Sequence, residues 1–166
     1  FRTSNNGTSW LSATSGINMS ESVSWIAPII AHPTVDGTFY IARQRVYVTT
    51  NNGESWNPIS ANVNGTSAIR EMAISKSNPS IMFATSGSYV FKSSDSGVNW
   101  VNVTSGLPTR TITSVSVYHT DPTLVNLTFS GFGTNKVYKS SNGGANWISI
   151  SENLPKTPVT EIFVYK

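Results

Sequence analysis

"SSNGGANW" (residues 140–147) combines the three kinds of residue that a tight hairpin needs. Ser140 and Asn142 carry short polar side chains that bond back to nearby backbone, Gly143 and Gly144 accept positive φ, and Trp147 supplies a large apolar anchor. The pattern occurs three more times, as "TSNNGTSW" (3–10), "TTNNGESW" (49–56) and "SSDSGVNW" (93–100). In each copy a hydroxyl residue is followed by Asn or Asp two positions later, by Gly two after that, and by Trp three further on. The tryptophans stand at 10, 56, 100 and 147, with spacings of 46, 44 and 47 residues. A near-constant period of this length marks a repeat architecture in which each unit is one supersecondary element.

Other features keep the same period. "RVYVT" (45–49), "YVFKS" (89–93) and "KVYKS" (136–140) precede the last three copies and alternate as strands do. Upstream of them, "AHPT" (31–34), "SNPS" (77–80) and "TDPT" (120–123) mark a turn. In the third unit this predicts strand A at Ile112–Tyr118, B at Leu124–Phe129, C at Lys136–Ser140 and D at Trp147–Ile150. No stretch shows a helical period. Four short strands per period describe a blade, so the expected fold is all-β: a β-propeller or propeller fragment of four-stranded antiparallel blades, with the repeated turn between strands C and D.

The four turns resemble the Asp-box, or BNR repeat, Ser/Thr-x-Asp-x-Gly-x-x-Trp. That repeat occurs in sialidases, xyloglucan-cleaving glycoside hydrolases, sortilin-like receptors and many secreted bacterial propellers. The matching positions are Thr3, Asn5, Gly7 and Trp10; Thr49, Asn51, Gly53 and Trp56; Ser93, Asp95, Gly97 and Trp100; and Ser140, Asn142, Gly144 and Trp147. Only Asp95 keeps the acid; Asn5, Asn51 and Asn142 replace it and can make the same Asx-turn bond. The resemblance implies a structural role at the outer rim, with each Trp buried between neighbouring sheets.

The period divides the chain into a partial blade (1–14), three blades (23–60, 68–105 and 112–151) and the first strand of a further blade (159–166). Two arrangements fit. The chain is part of a larger ring of roughly six to eight blades, or a compact ring of roughly four in which 159–166 closes beside 1–14. An open piece would expose strand edges and self-associate.

Composition narrows the function classes. Only 11% of residues are charged, and a net charge of +3 comes from 11 basic and 8 acidic residues without runs, so no nucleic-acid footprint is present. Cysteine is absent, which removes disulfides and thiolate metal sites. The longest apolar run, Trp25–Ala31, is interrupted by Pro28 and falls short of the ~18 residues of a membrane span. The chain opens on Phe1 with no signal peptide in it. With 45 Ser and Thr and 16 Asn, the surface is rich in hydroxyls and amides, as expected of an exported bacterial protein, secreted or at the cell surface.

In the family the resemblance names, catalysis sits on strands A and the loops around the central channel. Aligning the A strands on Pro33, Pro79 and Pro122 puts Trp25, Glu71, Ser114 and, by pattern, Glu161 at one position. Glu71 and Glu161 are thus the candidate catalytic carboxylates, since glycoside hydrolases need a pair roughly 5–5.5 Å apart for retention or 6.5–9.5 Å for inversion. The competing reading pairs Glu71 with Arg70 or Arg110 and leaves Glu161 solvated. A sialidase would need three arginines on one carboxylate, yet Arg2, Arg43, Arg45, Arg70 and Arg110 do not recur at one blade position. His32 and His119 adjoin turns without partners at ligand spacing, so neither metal nor cofactor is expected. Trp25, Tyr89 and Tyr118 are candidate sugar-stacking residues, with packing between blades as the alternative. The expected function is a non-catalytic binding or scaffold module for a polysaccharide or another surface protein; the alternative is a fragment of a propeller glycoside hydrolase.

Overall fold

The structure, a computed structural model, describes residues 1–133 and 135–164. Short runs of β-branched and aromatic residues, interrupted every few positions by Gly, Pro, Asn or Ser, form strands rather than helices. The first sheet orders β1 (Ile29–Ala31), β2 (Phe39–Ala42), β3 (Val46–Thr49) and β4 (Asn57–Pro58). The second contains β5 (Glu71–Ile74), β6 (Met82–Ser86), β7 (Tyr89–Ser93) and β8 (Val101–Asn102). The third contains β9 (Ile112–Val117), β10 (Val125–Phe129), β11 (Val137–Ser140) and β12 (Ile148–Ser149). Every pairing is antiparallel, and no helix occurs among the described residues.

The sheets stack through opposite faces of their middle strands. Met82 and Ala84 on β6 pack with Tyr40, Ala42, Val46, Ile69 and Met72 in a core between the first and second sheets. Phe83, one pleat along, joins Val90, Val115, Leu127, Phe129 and Trp147 in a core between the second and third. Because both faces are covered, β6 and β10 are buried along their whole length. Each of the larger side chains contributes roughly 1.5–3 kcal/mol by leaving water. The first strands lie side by side, β1 against β5 and β5 against β9.

The four repeated turns are built alike. The hydroxyl of Thr3, Thr49, Ser93 or Ser140 accepts from the glycine N–H four residues on, at 3.0, 3.0, 2.9 and 2.8 Å. It also donates to Oδ1 of Asn5, Asn51, Asp95 or Asn142, which accepts the backbone N–H four residues beyond itself. The tryptophans diverge. Trp56 and Trp147 are buried and donate their indole N–H to Ala13 O and Val103 O of the preceding unit, at 2.9 and 2.8 Å. Trp100 is half-buried and donates to Gly97 O in its own turn, while Trp10 is 60% exposed. Burial is therefore not a property of the turn itself; it follows the indole N–H reaching a carbonyl of the preceding unit, as in Trp56 and Trp147.

Two expectations meet a different geometry. Counting along the ladders from Thr49, Ser93 and Ser140, the residue level with Glu71 and Ser114 is Pro28, three residues after Trp25. The connections 32–38, 75–81 and 118–124 are equally long, but the proline sits second in the first and fifth in the others, so alignment on prolines slips the register. Residues 159–164 form no ladder; Val159 O accepts from Thr113 Oγ1 of β9 at 2.6 Å. Tyr165 and Lys166, the end of the expected strand 159–166, lie outside the described residues. At the other terminus, Arg2 and Leu11 bracket the first turn with a reciprocal backbone pair, 2.9 Å each way.

Candidate functional site

Antiparallel connectivity brings the starts of the first strands, the turns between second and third strands, and the long connections between sheets to one end. An open groove of about 560 Å³ lies there, lined by residues from 22–25, 64–70 and 86–89. Trp25 stands on its edge at 99% exposure, and Tyr89, the first residue of β7, lines it at 46%. An indole left in water forgoes burial worth on the order of 3–5 kcal/mol, so its exposure is a conspicuous local cost. Between the rings the lining is mostly polar, with Ser22, Ser24, Thr66, Ser67, Ser86, Ser88 and Asn64, and it carries one charged residue, Arg70.

Glu71 begins β5 at the end of this groove, where a recess of about 150 Å³ is lined by Ser24, Trp25, Ile26, Arg70 and Glu71. Desolvation raises its carboxyl above the ordinary value, the negative charge of Glu161 raises it further, and Arg70 opposes both. Glu161 and Arg70 thus both act on Glu71 through their charges, with no Arg70–Glu71 ion pair among the described residues. Tyr118 lies elsewhere, at the opposite end of β9, with the Lys139 ammonium 5.5 Å above its ring.

The remaining arginines have other partners. Arg2 pairs with Glu54 at 3.0 Å, Arg110 donates to Asn135 O, and Arg43 and Arg45 hold the segment around Glu21. His32 Nδ1 accepts the backbone N–H groups of Thr34 and Val35, so it is part of its turn. Among the described residues no three His, Cys, Asp or Glu side chains converge on a metal-sized site, and no helix is long and apolar enough to cross a membrane. Gln44 and Glu21 escape sequence reasoning altogether, because their partners are some 22 to 26 residues distant and nothing repeats there.

No known protein family matches the chain, and no curated protein sequence does. Solved structures do. The GH74 enzyme of Niastella koreensis superposes with a TM-score of 0.63 at 18% identity, covering 81% of this chain and 23% of that one. The GH74 xyloglucanase of Xanthomonas campestris gives 0.61 at 14%, covering 78% and 24%. YCF48 from Cyanidioschyzon merolae gives 0.58 at 21%, covering 74% and 36%, and a YCF48 bound to a D1 peptide gives 0.54 at 12%, covering 78% and 46%. The chain shares the propeller-type fold of these proteins. It spans about a quarter or less of the length of the GH74 enzymes.

Proposed function

We propose that this chain is a non-catalytic, carbohydrate-binding module built from Asp-box propeller blades and belonging to an exported bacterial surface protein. The observation that carries this reading is the sharing of one hydroxyl-lined groove by an exposed Trp25 and Tyr89. Sugar rings present flat C–H faces that stack on aromatic rings, and their rims of hydroxyls suit Ser, Thr and Asn side chains. The low charge of the lining fits a neutral polysaccharide. A plant and microbial glycan array tests it: binding should fall at least tenfold in Trp25→Ala with an unchanged melting temperature. Undiminished binding by that variant, or silence of the native chain across the array, would sink the reading.

A second reading has one specific observation behind it. Glu71 is a half-buried carboxyl whose proton affinity is raised by burial and by Glu161, as a general acid requires. On this reading the chain is part of a glycoside hydrolase. Release of reducing sugars from β-glucans by the native chain, abolished in Glu71→Gln, would replace the binding reading with this one. The ring's completeness is a separate matter, checked by light scattering: an open arc of blades associates through its edges, and a closed one stays monomeric.

A further inference from the structure

We infer that Gln44 and Glu21 are positioning residues that set the two walls of the groove before any ligand arrives, an inference that rests on the groove being a binding site. The wall carrying Trp25 is the segment 17–26, which pairs with no strand. The turn between β2 and β3 holds it in place. Arg43 Nη2 donates to Met19 O at 3.0 Å and to Glu21 O at 2.5 Å. The Tyr47 hydroxyl donates to Glu21 Oε1 at 2.8 Å and accepts the Asn18 N–H at 3.3 Å. Arg45 Nε lies 2.6 Å from the same Glu21 oxygen. Glu21 itself is buried, so its carboxylate faces the turn and not the groove.

Gln44 joins this wall to the next. Its side-chain N–H₂ donates to Ser22 Oγ at 3.2 Å and to Thr66 O at 2.9 Å, and Ser22 and Thr66 both line the groove on different segments. The second wall is tied onward to β6: Asn64 Nδ2 donates to Ser86 Oγ at 3.2 Å, and Ser86 Oγ donates to Ala68 O at 2.8 Å. One amide with two donors thus bridges two irregular segments. A site ordered in advance loses less conformational freedom on binding, and affinity rises accordingly.

Gln44→Glu tests this with little change of shape, because a carboxylate cannot donate to the Thr66 carbonyl, so the bridge opens even where the Ser22 hydroxyl turns to donate to the new carboxylate. In the full chain without glycan, amide exchange across 18–26 and 64–68 should quicken at least tenfold while β5 to β12 keep native protection. Glycan-array signals should fall at least tenfold at an unchanged melting temperature. Glu21→Gln should loosen 18–26 alone. Native exchange rates in Gln44→Glu overturn the inference, and so do quickened rates with undiminished array binding. Trp25→Ala judges the groove reading separately: signals that survive it place the ligand elsewhere and leave the exchange result standing.

Discussion

Each third strand is bounded by two turns, the repeated one (called the rim turn after the place the Asp-box resemblance implies) and one at the groove, and the two follow different rules. At the rim the hydroxyl–glycine bond stays within 2.8–3.0 Å in all four copies, and the backbone turns left-handed at two successive residues each time. At the groove end, the connections between second and third strands run over 43–45, 87–88 and 130–136, alike in neither length nor composition. The rim turns share their hydroxyl, Asn or Asp, and glycine residues, and that network holds them alike whether the tryptophan is buried or, as at Trp10, exposed. Groove-end turns share no such network, so their side chains serve different ends, as where Arg43, Gln44 and Arg45 hold the segment 18–22 and Thr66.

Glycine substitution should separate the two ends most sharply. A Cβ at Gly144 would stand 3.0 Å from Val103 Cγ2 at a φ of +90°, whereas one at Gly87, φ +62°, meets nothing within 4 Å. Gly144→Ala should cost about 2–4 kcal/mol, combining the left-handed penalty with overpacking, against about 1 kcal/mol for Gly87→Ala, read from urea midpoints. Equal losses would mean that the rim is no more constrained than the groove. Within the rim, Ser140→Ala removes the acceptor of a buried glycine N–H and should cost about 1–3 kcal/mol; the same change at the exposed Thr3 should cost well under half as much. Ser96 occupies a left-handed φ of +63° where the copy at Gly143 has glycine. Ser96→Gly should therefore stabilise by about 0.5–1 kcal/mol, visible as a higher thermal midpoint.

The smallest effect at neutral pH concerns Asp95, the one acid at the Asn/Asp position of the four turns. The Asn99 backbone N–H, the Asn99 side chain and Ser93 hold the Asp95 carboxyl down to about 2, from 3.8. A depressed acid adds stability that is complete above its unfolded value and is lost as pH falls through the folded one. Asp95→Asn should thus be close to neutral at pH 7 and flatten the decline of stability between pH 3.8 and about 2. An acid limb identical in both proteins would show that Asp95 is no better held than its asparagine counterparts.

The rim was legible because the repetition averages over noise: four imperfect copies define one turn, and the strand pattern before each follows. For the third unit the expected strands A and B differ from β9 and β10 by one residue at one end each. Register was less legible. Prolines mark that a turn exists without fixing their place in it, so aligning on them puts Trp25 level with Glu71, where the ladders put Pro28. The walls of the groove were not legible at all. Arg43, Gln44 and Arg45 read as an ordinary polar turn, and their bonds to 18–22 and Thr66 depend on how a non-repeating segment crosses the sheet. The left-handed Asn6, Asn52 and Ser96 also went unread, since only Gly143 carries the usual residue for that conformation.

The unequal fates of the tryptophans make the protein its own optical probe. Trp56 and Trp147 sit in dry interior, whereas Trp25 is wholly in water. Indole emission moves to the red in polar surroundings, so the longest-wavelength light should come largely from Trp25, with Trp10 as a weaker companion. A ligand that covers the groove edge would shift that band to the blue and protect it from an aqueous quencher, while the short-wavelength light stayed constant. Unlabelled protein and a fluorimeter would then suffice to follow occupancy of the groove in real time.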